Sequence, residues 1–378
     1  MVLFDHLAGL RSLLSLTLVS PFLTAMPPAL ARLPTLKDLC LKDTSITSIL
    51  PTDVPKSLRF LKIIRPRVRC VLSQVDTWVN LCSLIATNVS FASPSGAITL
   101  PPRLEVAYIN SSDLEALARW PDTLEALDVT ESRLRDFSNH VFPPDLHLLG
   151  LCMTEATELS AFALPEHLFH LNVSQNHITS LDAVRSPTNL TAIKLDGNEI
   201  TSIAGVEWPN KLLILDLSHN KFVSLAGHNL PRSLERLGIA GNMLTSLTDD
   251  LAGLYNLRTL WLAENRLASV QHLVLPTTLY TLDLGKNAFT SVAGLQLPTY
   301  LRFLTLSGMT LSLESFVINA NMQIMYLESC HLTSIKGLTL NRKLEWINCG
   351  GVRCTALVRK ELKQLIHFQA PFCNLQER

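Results

Sequence analysis

The sequence predicts an α/β solenoid: one parallel β-sheet built from short stacked coils, closed by a helix at the C-terminus. Three observations carry this. Between Leu168 and Phe289 six segments share the form LxxLxLxxNxL: LFHLNVSQNHI, LTAIKLDGNEI, LLILDLSHNKF, LERLGIAGNML, LRTLWLAENRL and LYTLDLGKNAF. They recur every 22 or 23 residues, so Asn176, Asn198, Asn220, Asn242, Asn265 and Asn287 fill one slot in six consecutive units. Residues 355–368 (TALVRKELKQLIHF) change period and place Val358, Leu362 and Leu365 on one face of a helix.

The apolar residues of LxLxx alternate, which makes this part a strand with one buried face. The Asn follows, where the chain turns inward. A buried turn strands backbone N–H and C=O groups at a cost. An Asn side chain offers an acceptor and two donors, so one amide per coil satisfies the turns above and below. No coil buries its apolar edge alone, so coils must stack. A fixed period in the twenties with this pattern resembles the leucine-rich repeat. That resemblance implies a horseshoe with the parallel sheet on its concave face. The 22-residue length resembles the repeats of the regulatory subunit of protein phosphatase 1. The TS and LP punctuation also resembles the ectodomains of receptor-like kinases, although no kinase segment follows.

Taken in order, residues 12–31 carry no charge except at their flanks and have two readings. One is a secretory leader, with Ala29-Leu30-Ala31 as the cleavage site. The other is a first repeat, with Leu16 lying 23 residues before Leu39 and Pro21 in the Asn slot. The prolines Pro21, Pro27 and Pro28 argue against a membrane span. LKDLCLKDTSI and LRFLKIIRPRV follow, with Thr44 and Pro66 in the slot. Residues 69–103 are irregular, with Ser93-Pro94-Ser95-Gly96 as a loop. The pattern returns with Ser112, Ser132 and Thr154 in the slot. After the central six, three further units put Met309, Cys330 and Val352 there, so the amide ladder decays. Residues 1–354 thus read as one solenoid of about sixteen repeats, and 355–378 as the cap helix and tail. The segments between strands are short and broken by proline, so they should be extended or 3₁₀.

Charged residues make up 17% of the chain and hydrophobic ones 47%, with a formal net charge of zero. That balance excludes a disordered tail and gives no field for nucleic acid or an anionic membrane. Eight cysteines are scattered without a CxxC, so a zinc site is not expected. They read as buried thiols, with Cys349, Cys354 and Cys373 alternatively the remains of a C-terminal disulfide cap. The four NxS/T sequons are no more than such a composition supplies by chance. The cytoplasm is the expected compartment, or the cell exterior if residues 1–31 are a leader.

No catalytic motif, cofactor loop or metal-ligand spacing is present. Asp216, Ser218 and His219 are triad residue types, but they sit on one strand and turn, where they cannot meet as a triad. His167 and His170 read as structural or solvated. The informative surface is the outward side of the strands. From the eleventh unit onward it carries Glu235, Arg236, Arg258, Trp261, Tyr280, Asp283, Arg302, Phe303, Tyr326, Glu345 and Trp346. Aromatics and arginines on adjacent strands match the composition of protein contact sites. The competing explanation is that large side chains cover one another along the ladder. The expected function is a non-catalytic scaffold that binds a protein partner on this face, without a cofactor or metal; the alternative is an extracellular ligand-sensing ectodomain.

Overall fold

A computed structural model describes residues 9–92, 98–114, 117–132, 141–159, 164–181, 187–247, 251, 253–369 and 374–376. The predicted loop Ser93-Pro94-Ser95-Gly96 and the residue Cys373 lie outside these. The backbone forms two compact units, residues 1–178 with 183–190, and residues 179–182 with 191–378.

In the first unit the sheet strands are Ser15–Val19, Asp38–Lys42, Phe60–Ile64, Ser83–Thr87, Val106–Asn110, Ala126–Asp128, Leu148–Gly150 and His170–Asn172. All neighbours are parallel and in one register, which runs Leu16, Leu39, Leu61, Leu84, Ala107, Leu127, Leu149, Leu171. Ser15–Val19 pairs along its length with Asp38–Lys42, and Leu30 is fully buried. Of the stretch expected to be irregular, residues 69–92 and 98–103 are described. Ser83–Thr87 keeps the register, and Cys70–Ser73 pairs sideways with Ser48–Ile49 and Val89–Ala92. Short 3₁₀ turns at Leu30–Arg32, Pro51–Asp53 and Val75–Thr77 connect these strands.

In the second unit the strands are Ala192–Lys194, Ile214–Asp216, Arg236–Gly238, Thr259–Trp261, Thr281–Asp283, Phe303–Thr305, Ile324–Tyr326, Trp346–Asn348 and Asn374–Gln376. The last follows the helix and adds a strand to the sheet beyond the predicted end of the repeats. The inward register Ile193, Leu215, Leu237, Leu260, Leu282, Leu304, Met325, Ile347 is buried throughout.

The amides occupy the turns as their spacing requires. In the second unit Asn220 donates to Leu195 O at 2.9 Å and Leu217 O at 3.0 Å, and accepts from Ile200 N–H at 3.0 Å. Asn242, Asn265 and Asn287 repeat this one coil later each time. Asn198 donates to Leu195 O at 2.9 Å. In the first unit Asn176 bridges to the coil of Leu151 and Thr154. Asn176, Asn220, Asn242, Asn265 and Asn287 therefore each hold their own turn and the one before it, and of the six amides all but the half-buried Asn287 are buried. At Cys330 a thiol substitutes, donating from Sγ to Leu306 O at 3.0 Å. The residue before the slot is left-handed on coil after coil, with φ between 49° and 76°, whether it is Gly241 or His219.

A second ladder lies at the strand entrances. Turns of the form PxxL recur, with the Leu N–H donating to the Pro carbonyl, as in Leu234 to Pro231 O at 3.2 Å and Leu279 to Pro276 O at 3.2 Å. Just before the Leu, a hydroxyl donates to the equivalent Leu carbonyl of the preceding coil. Ser57, Thr123, Ser233 and Thr278 do this at 2.7–2.8 Å.

The C-terminal helix, α1, spans Ala356–Gln369. Its buried side chains are Val358, Leu362 and Ile366, while Leu365 is only half-buried, so Ile366 and not Leu365 completes the apolar stripe. Gln369 Oε1 accepts from Leu340 N–H at 2.6 Å, which ties the helix end to the last coils. Cys354, expected to be a buried thiol, is half-buried.

Candidate functional site

The outward face of the second unit is built by strand alternation. Residues flanking each buried Leu point away from the core. The register sorts the predicted residues into three rows across the strands. The entrance row carries Glu235, Arg258, Tyr280, Arg302 and, beyond Gln323, Glu345, each linked to a neighbour in the row by a backbone hydrogen bond. The middle row aligns Arg236, Thr259, Thr281, Phe303, Ile324 and Trp346. The exit row aligns Gly238, Trp261, Asp283, Thr305, Tyr326 and Asn348.

The 22-residue step brings several of them into contact. The Tyr280 and Phe303 rings lie 5.3 Å apart at a tilt of 50°. The Arg302 guanidinium sits 5.0 Å from the Tyr280 ring centroid, within cation–π range. Trp261, Tyr280 and Trp346 are each 37% exposed, too open to be core and too packed to be loose. Phe303 and Tyr326 are half-buried. Trp261 stands beside Gly238, where an added Cβ would come within 2.4 Å of Asp216 Oδ1, so the Asp216 side chain fills the exit row at that coil.

Asp283 has a structural partner. Its Oδ1 accepts from Gly285 N–H at 2.9 Å, and burial pushes its carboxyl above the ordinary range. The same slot on other coils does the same work: Asp128, Asn172, Asp216 and Asn348 each accept from the N–H two residues on. This occupies Asp216 with Ser218 N–H at 3.0 Å, away from triad geometry. His219 packs against Gly241, where an added Cβ would meet its Nδ1 at 2.2 Å. In the first unit His147 stacks on Phe169 at 5.2 Å and lies 6.4 Å from His167. Among the described residues no group of three or more His, Cys, Asp or Glu side chains comes together as a metal site.

No family model matches the sequence, and no curated protein matches it. Solved structures do match in fold. YopM from Yersinia enterocolitica superposes with a TM-score of 0.68 at 23% identity, covering 99% of this chain and 79% of that one. The LRR protein LIC12759 from Leptospira interrogans gives 0.69 at 18% identity, covering 98% and 97%. The fold is the leucine-rich-repeat solenoid. TLR13 in its complex with ssRNA13 gives 0.64 at 18% identity, covering 98% of this chain and 62% of that one. At these identities the likeness concerns backbone architecture. Among the described residues no helix of this solenoid is long and apolar enough to cross a membrane.

Proposed function

We propose that this solenoid is a non-catalytic interaction module that receives a protein partner on the outward sheet face of its second unit, across Arg236, Arg258, Trp261, Tyr280, Arg302, Phe303, Tyr326 and Trp346. The observation that carries the reading is the continuous run of partly exposed aromatics and arginines over adjacent strands, anchored by Arg302 against Tyr280. Tyr, Trp and Arg concentrate binding energy when a partner desolvates them. Nine strands at about 4.8 Å spacing make a face roughly 40 Å long, enough for a standard interface and too open for a small-molecule cleft. The buried thiols of Cys70 and Cys330 suit a reducing compartment, which favours the cytoplasm.

The test is the double variant Trp261→Ala, Trp346→Ala in the full chain. Both indoles are more than a third exposed, so the thermal midpoint should hold while capture of a partner falls. Equal capture by variant and parent would reduce the stripe to intramolecular cover.

A further inference from the structure

The outward face of the first unit carries its charges in an ordered way. On each coil the outward stretch runs from the entrance residue to the residue before the slot: 14–20, 37–43, 59–65, 82–88, 105–111, 125–131, 147–153 and 169–175. The second and third stretches hold five cations, Lys37, Lys42, Arg59, Lys62 and Arg65, against two acids, Asp38 and Asp43. The fifth and sixth hold four acids, Glu105, Glu125, Asp128 and Glu131, and no cation. The first, fourth, seventh and eighth hold no Lys, Arg, Asp or Glu. A cationic block and an anionic block of equal width therefore flank one uncharged coil, that of Ser83–Thr87.

The entrance row shows the order plainly: Lys37, Arg59, Cys82, Glu105, Glu125. From Arg59 on, each N–H donates to the carbonyl of the residue before it in the row at 2.8 Å. Arg59 and Glu105 are two strand spacings apart, about 10 Å, and Lys37 and Glu125 four, about 19 Å. All four are exposed, and none makes an ion pair among the described residues, whereas Arg65 is held by Asp43 at 2.8 Å.

We infer that this face is a homodimer interface, its occupant a second copy of the chain set antiparallel about Ser83–Thr87. The two-fold axis lies in the plane of contact and runs along that strand. Arg59 then meets the partner's Glu105, Lys37 meets the partner's Glu125, and symmetry makes each pair twice. In the middle row Phe60, 39% exposed, comes over the partner's Val106, and in the exit row Lys62 comes over the partner's Tyr108. Glu131 comes nearest the partner's Asp43, whose charge Arg65 already offsets. The other two-fold, along the stack of coils, would set cations on cations and acids on acids, which is repulsive. The first seven coils span about 29 Å and each stretch about 20 Å, giving roughly 600 Å² per partner, the lower end of specific interfaces. The contact uses none of the residues of the partner face proposed above.

The experiment is sedimentation velocity of the full chain at rising micromolar concentration, in low and high salt. A monomer–dimer equilibrium without larger species is expected, and salt should weaken it. Arg59→Glu alone and Glu105→Arg alone should each weaken the dimer about ten-fold or more, since like charges then face each other twice. An equal mixture of the two variants should dimerise again, because both contacts then join opposite charges, and the double variant should dimerise by itself. Arg258→Glu, on the second unit, should change nothing. Arg59 and Glu105 are exposed, so thermal midpoints should hold; if either variant unfolds, Lys37→Glu and Glu125→Lys make the same exchange. A monomer at every concentration, a dimer indifferent to the reversals, or a mixture that stays monomeric overturns the inference. Species growing beyond the dimer would mark a head-to-tail contact and overturn the two-fold arrangement.

Discussion

Asn242→Ala tests the amide ladder one rung at a time. The Asn242 amide donates to Leu217 O and Ile239 O, both at 3.0 Å, and accepts from Phe222 N–H at 3.1 Å. The two carbonyls have second donors: Asn220 reaches Leu217 O at 3.0 Å, and Asn265 reaches Ile239 O at 2.9 Å. Phe222 N–H has only Asn242 among the described residues. The loss is therefore one orphaned buried N–H, about 1–3 kcal/mol, plus two carbonyls that each keep one partner, a smaller term. A total of about 2–3 kcal/mol is expected. A solenoid can unfold in parts, so the sharper assay is native-state hydrogen exchange at Phe222, whose protection should collapse while Leu282 keeps its own. Asn242→Asp keeps an acceptor for Phe222 but loses both donors, so protection at Phe222 should partly return. Unchanged exchange at Phe222 in the Ala variant, or a loss below about 1 kcal/mol, would refute the ladder as the holder of these turns.

Other outcomes follow from local geometry. Gly238→Val places a Cβ where Asp216 Oδ1 lies at 2.4 Å and Ser218 Oγ at 2.9 Å, and should cost about 1–3 kcal/mol in denaturant unfolding, with Asp216→Ala restoring part of it. Burial raises the Cys70 thiol from 9.0 to about 11 and moves Cys330 the same way. The unfolded thiol ionises first, so stability present below pH 9 should fall as pH rises toward 11, and Cys70→Ala should flatten that slope in a urea titration. Leu362→Asp puts a charge on the buried stripe of α1 and should free the helix, raising exchange around His331–Ser334 before it changes the coils near Asn220.

The inward architecture was legible because it is periodic. Leu at fixed steps gave the strands, and the amides gave the turns. The left-handed position was not: glycine stands there at Gly197, Gly241, Gly308 and Gly351, but His219, Glu264 and Lys286 adopt the same φ under tertiary constraint. The cap helix was legible in place but not in phase, since Leu365 and Ile366 are adjacent apolar residues and only the packing selects Ile366. The hydroxyl ladder of Ser57, Thr123, Ser233 and Thr278 is written in the chain as PxSL or PxTL but is not legible as a ladder, because Ser and Thr near proline look like ordinary turn residues. Alternation identified which residues face outward, but not that Arg302 would lie on Tyr280 or that Asp283 would turn to Gly285. Those depend on rotamers and on neighbours one coil away.

The lateral strands show what the amides displace. Where the slot holds Asn176, Asn220, Asn242, Asn265 or Asn287, the next N–H reaches the carbonyl two residues past the preceding slot, as in Lys221 to Ile200 O at 2.9 Å and Met243 to Phe222 O at 2.9 Å. Where it holds Pro66, Cys330 or Val352, the next N–H reaches the preceding slot residue itself: Arg67 to Thr44 O, His331 to Met309 O and Arg353 to Cys330 O, each at 2.8 Å. The sideways pairs form beside these coils, Cys70–Ser73 with its two neighbours and Thr310–Ser312 with His331–Ser334. An inserted amide spans the turn and takes one backbone N–H for itself; at Pro66, Cys330 and Val352 the backbone groups pair with each other instead, while the Thr44 coil keeps the amide-type register, with Ser45 N–H on Leu23 O at 2.9 Å. Two solutions to one satisfaction problem thus alternate along the chain. Both leave the outward strand positions unconstrained, so the face near Phe303 and Trp346 is free to turn apolar where the amide ladder has ended.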